Sequence, residues 1–460
     1  MTIPDPEPSP RKRRKPSLDF SLSLPLSLVV VGVLVGGLCW PLTLVDRLQD
    51  QLVRRLPAFT ATSWSAATGF LALAPVVVLP LILGLQAGVW RQGASSGLPQ
   101  TIVSLEDADA AKTLLSAPAT RQRFLLWTIA SLALLPLGRE GPVVQLGAAV
   151  VQSLRQRWPA LLPFLDRRAL LAIGGGAGMA SAFNTPLVGV VFMVEELSGR
   201  IDGAVIPAAM VVCALAAEVN HWGGQPEFAL AVARGMPAEL HQLLLALPIG
   251  LAAGLIGVGF SAALVRLSTR FSPLASRRPL SLGLVLGLCL SGLCWITGGV
   301  SAGDGEAVMT RLVAQPTLGL GGWLALLARG LGPILCLGAG VPGGLIDPVL
   351  ALGAMVGQGI GQLVNAPLLG IAVGLPAALA AATQLPLVSV VFTLRLMGDQ
   401  QWLPGVVLAA AMGAGVSRLL GCRSPYHVFA ERLLERLESR GVDPEAEGFS
   451  RPPTVGACKG

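Results

Sequence analysis

Charge is scarce in this sequence. Only 13% of its 460 residues are Asp, Glu, Lys or Arg, against roughly 25% in soluble domains. Too little polar surface remains to cover a water-soluble particle of this size. Histidine is limited to His221, His241 and His427, and the seven cysteines stand apart with no pair at metal-ligand spacing. That dispersal gives a zinc or heme centre little support, and the cysteines read as small hydrophobes. Tyrosine occurs once, as Tyr426. What is present in abundance is apolar length: 53% of the residues are hydrophobic and the mean hydropathy is +0.68. A helix needs about 20 apolar residues to cross a bilayer, and such stretches recur along the chain.

The organisation follows from this. Residues 1–20 are rich in Pro, Ser and basic side chains and are expected to be a disordered cytoplasmic tail. Its run Arg11–Lys15 precedes a membrane-like stretch at 24–45, so it reads as a retention charge under the positive-inside rule, not as a nucleic-acid site. No small-residue cleavage site follows it, which argues against a signal peptide. Basic groups at Arg121 and Arg123, at Arg155, Arg157, Arg167 and Arg168, and at Arg266, Arg270, Arg277 and Arg278 are expected in cytoplasmic loops. Asp304 and Glu306 are expected in an outer loop. Glu431–Arg440 reads as an amphipathic helix after the last membrane segment, and residues 431–460 as a short cytoplasmic tail without a regulatory domain.

An internal repeat is visible. Pro186–Phe192 (PLVGVVF) returns as Pro386–Phe392 (PLVSVVF), and Pro142–Val150 (PVVQLGAAV) as Pro348–Val356 (PVLALGAMV), in the same order. Two membrane repeats, 21–225 and 226–430, are expected. Transporters built from repeats bind their substrates near the midplane, where Gly- or Pro-interrupted segments of the two halves meet. Here those segments are Gly138–Pro142 and Gly343–Pro348.

Gly138-Arg-Glu-Gly-Pro142 opens an apolar helix. Free backbone N–H groups and the helix dipole at such a start suit an anion. Glu140 stands between apolar stretches, and an ionisable residue at such a place is a functional candidate. Ser95-Ser-Gly-Leu-Pro99, Gly340–Pro348 and Tyr426 have related grammar.

In this order the motifs closely resemble the CLC family of chloride channels and proton-coupled chloride transporters. That family carries GSGIP, GREGP, a Glu-Glu pair, GGxFxP and a late tyrosine. The matches are Ser95–Pro99, Gly138–Pro142, Glu195-Glu196, Gly343–Pro348 and Tyr426. The resemblance implies an all-α polytopic membrane fold, an inverted repeat of tilted and re-entrant helices assembled as a homodimer in the plasma (inner) membrane with its N-terminus cytoplasmic. It implies transport, not enzymatic catalysis, with chloride and protons as the partners, the lipid bilayer as solvent, and no cofactor, metal or nucleic acid.

By position, the resemblance assigns chloride binding to the hydroxyls of Ser96 and Tyr426 and the backbone N–H groups of Leu345 and Ile346. Amides around Arg139, Glu140 and Gly141 would serve an outer site. Glu140 would be the gate and Glu196 the internal proton acceptor. Retention of Glu196 favours an exchanger; a passive chloride channel on the same fold is the alternative. Retention of Ser96 favours chloride, because nitrate-preferring relatives tend to carry Pro there. Two departures stand out: Ser95 replaces the first Gly of GSGIP, and GGLIDP puts Ile346 at the usual aromatic and Asp347 beside it. Asp347 is expected to face outward as a helix cap, and Arg200 is the expected neutralising neighbour of Glu196. An intramembrane hydrolase using Ser95 or Ser96 is disfavoured, since no histidine falls within a glycine-flanked apolar segment.

Overall fold

The computed structural model describes residues 18–159, 165–224, 230, 244–315, 321–398 and 402–439. The basic run Arg11–Lys15, His241, Cys458, the expected repeat boundary at 225–226 and residues 440–460 lie outside them.

The described chain is a succession of helices. They are α1 (Leu18–Val53), α2 (Ala66–Ala87), α3 (Leu98–Glu106), α4 (Ala117–Leu132), α5 (Glu140–Arg157), α6 (Arg167–Phe183), α7 (Pro186–Phe192) and α8 (Val205–Trp222). Then come α9 (Ala246–Arg277), α10 (Pro279–Ile296), α11 (Gly321–Gly338), α12 (Ile346–Leu363), α13 (Pro367–Thr383), α14 (Pro386–Met397), α15 (Leu403–Leu419) and α16 (Pro425–Glu438). Shorter helices lie between them. Among the described residues, extended backbone pairs only as an isolated bridge between Gly138 and Gly344. The expected all-α membrane fold is what forms.

Within α1, α2, α8, α9 and α10 lie five spans long and apolar enough to cross a membrane. Their large side chains face outward: Phe70 is 76% exposed and Val77 71%. In water such a surface would be unstable, whereas in lipid it is the correct solvent contact. Several shorter helices start on proline. Pro186, Pro367, Pro386 and Pro425 each occupy the first or second helical position, where the missing N–H would have had no partner.

The two stretches of repeated sequence adopt the same helix order: α5, α6, α7 in one and α12, α13, α14 in the other. Small residues bring each first pair together. A Cβ on Gly147 would lie 2.0 Å from the carbonyl oxygen of Gly174, and one on Gly357 1.9 Å from that of Gly370. Such backbone-to-backbone packing is the usual means of helix association in lipid, where burying apolar surface gives little driving force.

Several arginines are not where charge counting puts them. Arg123 is 1% exposed within α4, not in a loop, and Arg266 and Arg270 lie exposed on the helix α9. Asp304 is buried as well. Its carboxylate, with those of Asp46 and Glu306, forms a cluster within 4.8 Å. Of the cysteines, Cys39, Cys213, Cys294 and Cys336 are buried and free, Cys289 is exposed, and Cys422 departs from the expected pattern in being disulfide-bonded.

Candidate functional site

The two interrupted segments meet. Gly138 N–H donates to the Gly344 carbonyl at 3.0 Å, and Gly344 N–H returns a bond to the Gly138 carbonyl at 2.8 Å. This exchange holds the N-termini of α5 and α12 side by side. The first N–H groups of any helix lack intrahelical partners, so two sets of free donors point into one region. The Trp127 indole N–H also donates to the Gly138 carbonyl, at 3.1 Å.

Glu140 is the first residue of α5 and is 1% exposed. Its Oε1 accepts from the Asp347 backbone N–H at 2.9 Å, while Oε2 is buried with no hydrogen-bond partner among the described residues. The carboxylate fits against bare backbone: a Cβ on Gly344 would lie 1.2 Å from Oε2, and one on Gly138 2.3 Å. Neither glycine has a positive φ. Their purpose is close approach, which a side chain at either position would prevent. No Arg–Glu pair forms at the motif either. The Arg139 guanidinium is buried, forms an ion pair with Asp46 on α1 and lies 5.1 Å from the centre of the Phe183 ring.

The serine loop closes one side. Ser96 Oγ and its carbonyl pack on Gly141, where an added Cβ would meet Oγ at 2.2 Å. Arg123 holds the loop from behind, donating to the carbonyls of Ser95 (3.0 Å), Gln92 (2.8 Å) and Ala94 (2.8 Å) and to the side chain of Gln145. Ser95 adopts φ +70°, the left-handed region that a glycine enters freely, and its N–H donates to the Gly340 carbonyl at 2.9 Å. Ser96 Oγ has no hydrogen-bond partner among the described residues.

Tyr426 closes the other side. It is the second residue of α16 and is 2% exposed, so it is no interfacial anchor. Its hydroxyl faces the Leu345 backbone amide and lies within electrostatic range of Glu140, Glu196 and Asp347, yet it forms no hydrogen bond among the described residues. Leu345 and Ile346, the cap and first residue of α12, are buried. Six of the candidate residues thus converge with Glu140: Ser96, Arg139, Gly141, Leu345, Ile346 and Tyr426.

Asp347 corrects the sequence expectation. It does not face outward. It is 4% exposed, Leu345 caps the helix without a side-chain bond, and Asp347 Oδ2 has no partner among the described residues. Its carboxylate is thus a second buried acid, one residue from the amides expected to serve chloride.

Glu196 lies in the π-helical stretch Met193–Ser198 that continues α7. Its side chain is 1% exposed, and Oε2 is 3.6 Å from Nε2 of His427. Arg200, the expected neighbour, is exposed. The adjacent Glu195 has a different task. Its two oxygens accept from the N–H groups of Leu387 (2.9 Å) and Val388 (2.7 Å), so one repeat segment caps the first turn of α14 in the other. From the sequence, Glu195 had no role beyond its place in the Glu-Glu pair, and His427 had none. The free N–H groups that follow Pro386 could have signalled the need for a cap.

The profile of the family described as voltage gated chloride channel matches residues 79–418. The chain is 29% identical over 323 residues to the H(+)/Cl(-) exchange transporter ClcA of Yersinia pestis, a match covering 66% of each chain. The chain thus spans just under two thirds of the length of the curated relatives it matches. Among solved structures it resembles a slow cyanobacterial Cl−/H+ antiporter, with 22% identity, TM-score 0.75, and 90% of this chain and 99% of that chain covered. It also resembles a CLC-type fluoride/proton antiporter, with 22% identity, TM-score 0.71, and coverage of 90% and 98%. These two likenesses concern the fold. The profile match extends over most of the chain and takes in the serine loop, the Gly138–Gly344 bridge and the Glu195-Glu196 pair, and on that ground the protein belongs to the voltage gated chloride channel (CLC) family.

Proposed function

We propose that this protein exchanges chloride for protons across a membrane. The observation that carries the reading is the position of Glu140: a buried carboxylate lies at the paired N-termini of two broken helices and accepts a backbone N–H at 2.9 Å. An anion entering that region competes with the carboxylate for the same donors. Protonation removes the carboxylate charge and with it most of the competition, because a hydrogen bond to a charged group is worth more than one to a neutral group. Glu140 is therefore the gate, and proton movement is coupled to anion movement.

Chloride is held by the hydroxyls of Ser96 and Tyr426 and the amides of Leu345 and Ile346, with the amides around Arg139 and Gly141 serving an outer position. Hydroxyls and amides without a full positive charge suit a site that must also release its ion. Glu196 is the internal proton acceptor. The curated relatives, which are H(+)/Cl(-) exchange transporters, support exchange of H+ for Cl−. The two helix series support a division into repeats at 21–225 and 226–430. The family supports a homodimer in the plasma (inner) membrane, and charge near the N-terminus supports a cytoplasmic N-terminal tail.

The test uses the full chain in sealed liposomes with an imposed chloride gradient. Exchange predicts uphill proton movement that stops in Glu140→Gln while chloride still passes. Chloride flux with no proton movement in the wild type makes the protein a passive channel and ends this reading.

A further inference from the structure

Glu196 has a neighbour that the proposed mechanism does not use. Its carboxylate is enclosed, with a side chain 1% exposed and Oε1 lacking a partner among the described residues. An enclosed acid cannot exchange protons with water unless something carries them. His427 stands at the opening: its side chain is 48% exposed, and Nε2 is 3.6 Å from Glu196 Oε2. It is the third residue of α16, directly after Tyr426. A cation in the first turn of a helix is disfavoured by the helix dipole, so a charged imidazole there depends on the carboxylate it faces.

We propose that His427 is the proton-loading residue of this transporter, relaying protons between water and Glu196. The inference rests on the reading of Glu196 as the internal acceptor. The step balances without any further reactant. A water-borne proton binds Nδ1 of a neutral imidazole protonated at Nε2, Nε2–H passes its proton to the Glu196 carboxylate, and the imidazole is left neutral in its other tautomer. A ring flip or proton exchange with water restores the first tautomer, and the direction reverses when Glu196 unloads.

The charges around His427 suit this task. Attraction to the Glu196 carboxylate is the main cause that raises the imidazole pKa above its ordinary 6.5. Histidine then changes charge within the physiological range. Glu431 on the same helix acts in the same direction and Arg423 in the opposite one, and these two form an ion pair with each other. On the other elements packed against α16, Glu106 of α3 pairs with Arg168 at 3.2 Å. Arg266, Arg270 and Arg277 of α9 are exposed, and α13 carries no ionisable residue. Glu196 is thus the group that dominates His427.

The test measures chloride-driven proton flux and chloride flux together, in liposomes with the full chain, from pH 5 to pH 8.5 on the His427 side. The variants are His427→Gln, His427→Ala and Glu196→Gln. General acid–base groups contribute about 10²–10⁴-fold to a proton transfer, so His427→Gln is expected to lower the proton flux at least about tenfold near neutral pH and to abolish its inflection. Free imidazole added to His427→Ala should restore proton flux, a recovery that a packing role would not produce. Wild-type proton flux and pH profile in His427→Gln overturn the proposal. So does a proportional loss of both fluxes that imidazole fails to restore. Should Glu196→Gln still move protons uphill, the acceptor assignment itself fails. Should Glu196→Gln stop them while His427→Gln does not, the relay alone fails.

Discussion

The backbone N–H of Asp347 donates to the side chain of Glu140 at 2.9 Å, joining the first turn of one broken helix to a buried carboxylate of the other. The two residues come from opposite stretches of an internally repeated sequence. Their contact depends on the Gly138–Gly344 exchange beside it, and on the absence of any side chain at residue 344.

Gly344→Ala tests that dependence. A methyl there would lie 1.2 Å from Glu140 Oε2, so the flexible carboxylate must leave. The loss of one hydrogen bond to a charged group, about 1.5–3 kcal/mol, should loosen proton coupling by about tenfold or more. Gly292→Ala, where an added Cβ meets nothing within 4 Å, should couple as the wild type does. Paired flux measurements on both variants check this, and intact coupling in Gly344→Ala would contradict it.

Ser96 and Tyr426 offer hydroxyls that bond to nothing else among the described residues. Tyr426→Phe and Ser96→Ala should each remove one donor to a charged ligand, worth about 1.5–3 kcal/mol. Chloride affinity measured by calorimetry in detergent should fall about tenfold or more in each. Unchanged affinity in both would remove these hydroxyls from the site.

Ser95 tolerates φ +70° at a cost of roughly 1–2 kcal/mol for an L-residue. Ser95→Gly relieves that strain and gives back roughly 0.5–1 kcal/mol through the freer unfolded chain. The net effect is a stabilisation of about 0.5–1 kcal/mol, read as a raised midpoint in thermal unfolding of the purified protein. A lowered midpoint would show that the serine side chain holds the loop.

The breaks, the repeat and Glu140 were legible because each leaves a local mark: proline at a helix start, glycine where backbones touch, a lone acid in an apolar run. Charges that find partners far along the chain leave none. Arg123 resembles a loop arginine until α4 folds and its guanidinium meets three carbonyls of the serine loop. Arg139 belongs to Asp46, and Glu195 to the first turn of α14. Asp347 reads as an outward cap because residues of that kind usually cap helices. It is buried instead because the bridge pulls the start of α12 inward against Glu140. His427 has no motif at all, and its meaning appears only when α16 is laid beside the π-helical turn that carries Glu196.

The most direct measurement is an anomalous diffraction map of bromide-soaked crystals of the wild type and of Glu140→Gln. If an ionised Glu140 holds the place of an anion, the variant must show an additional bromide beside the Asp347 N–H, with a second ion between Ser96 and Tyr426 in both proteins. Identical bromide positions in the two maps, with none near Asp347, would contradict the account.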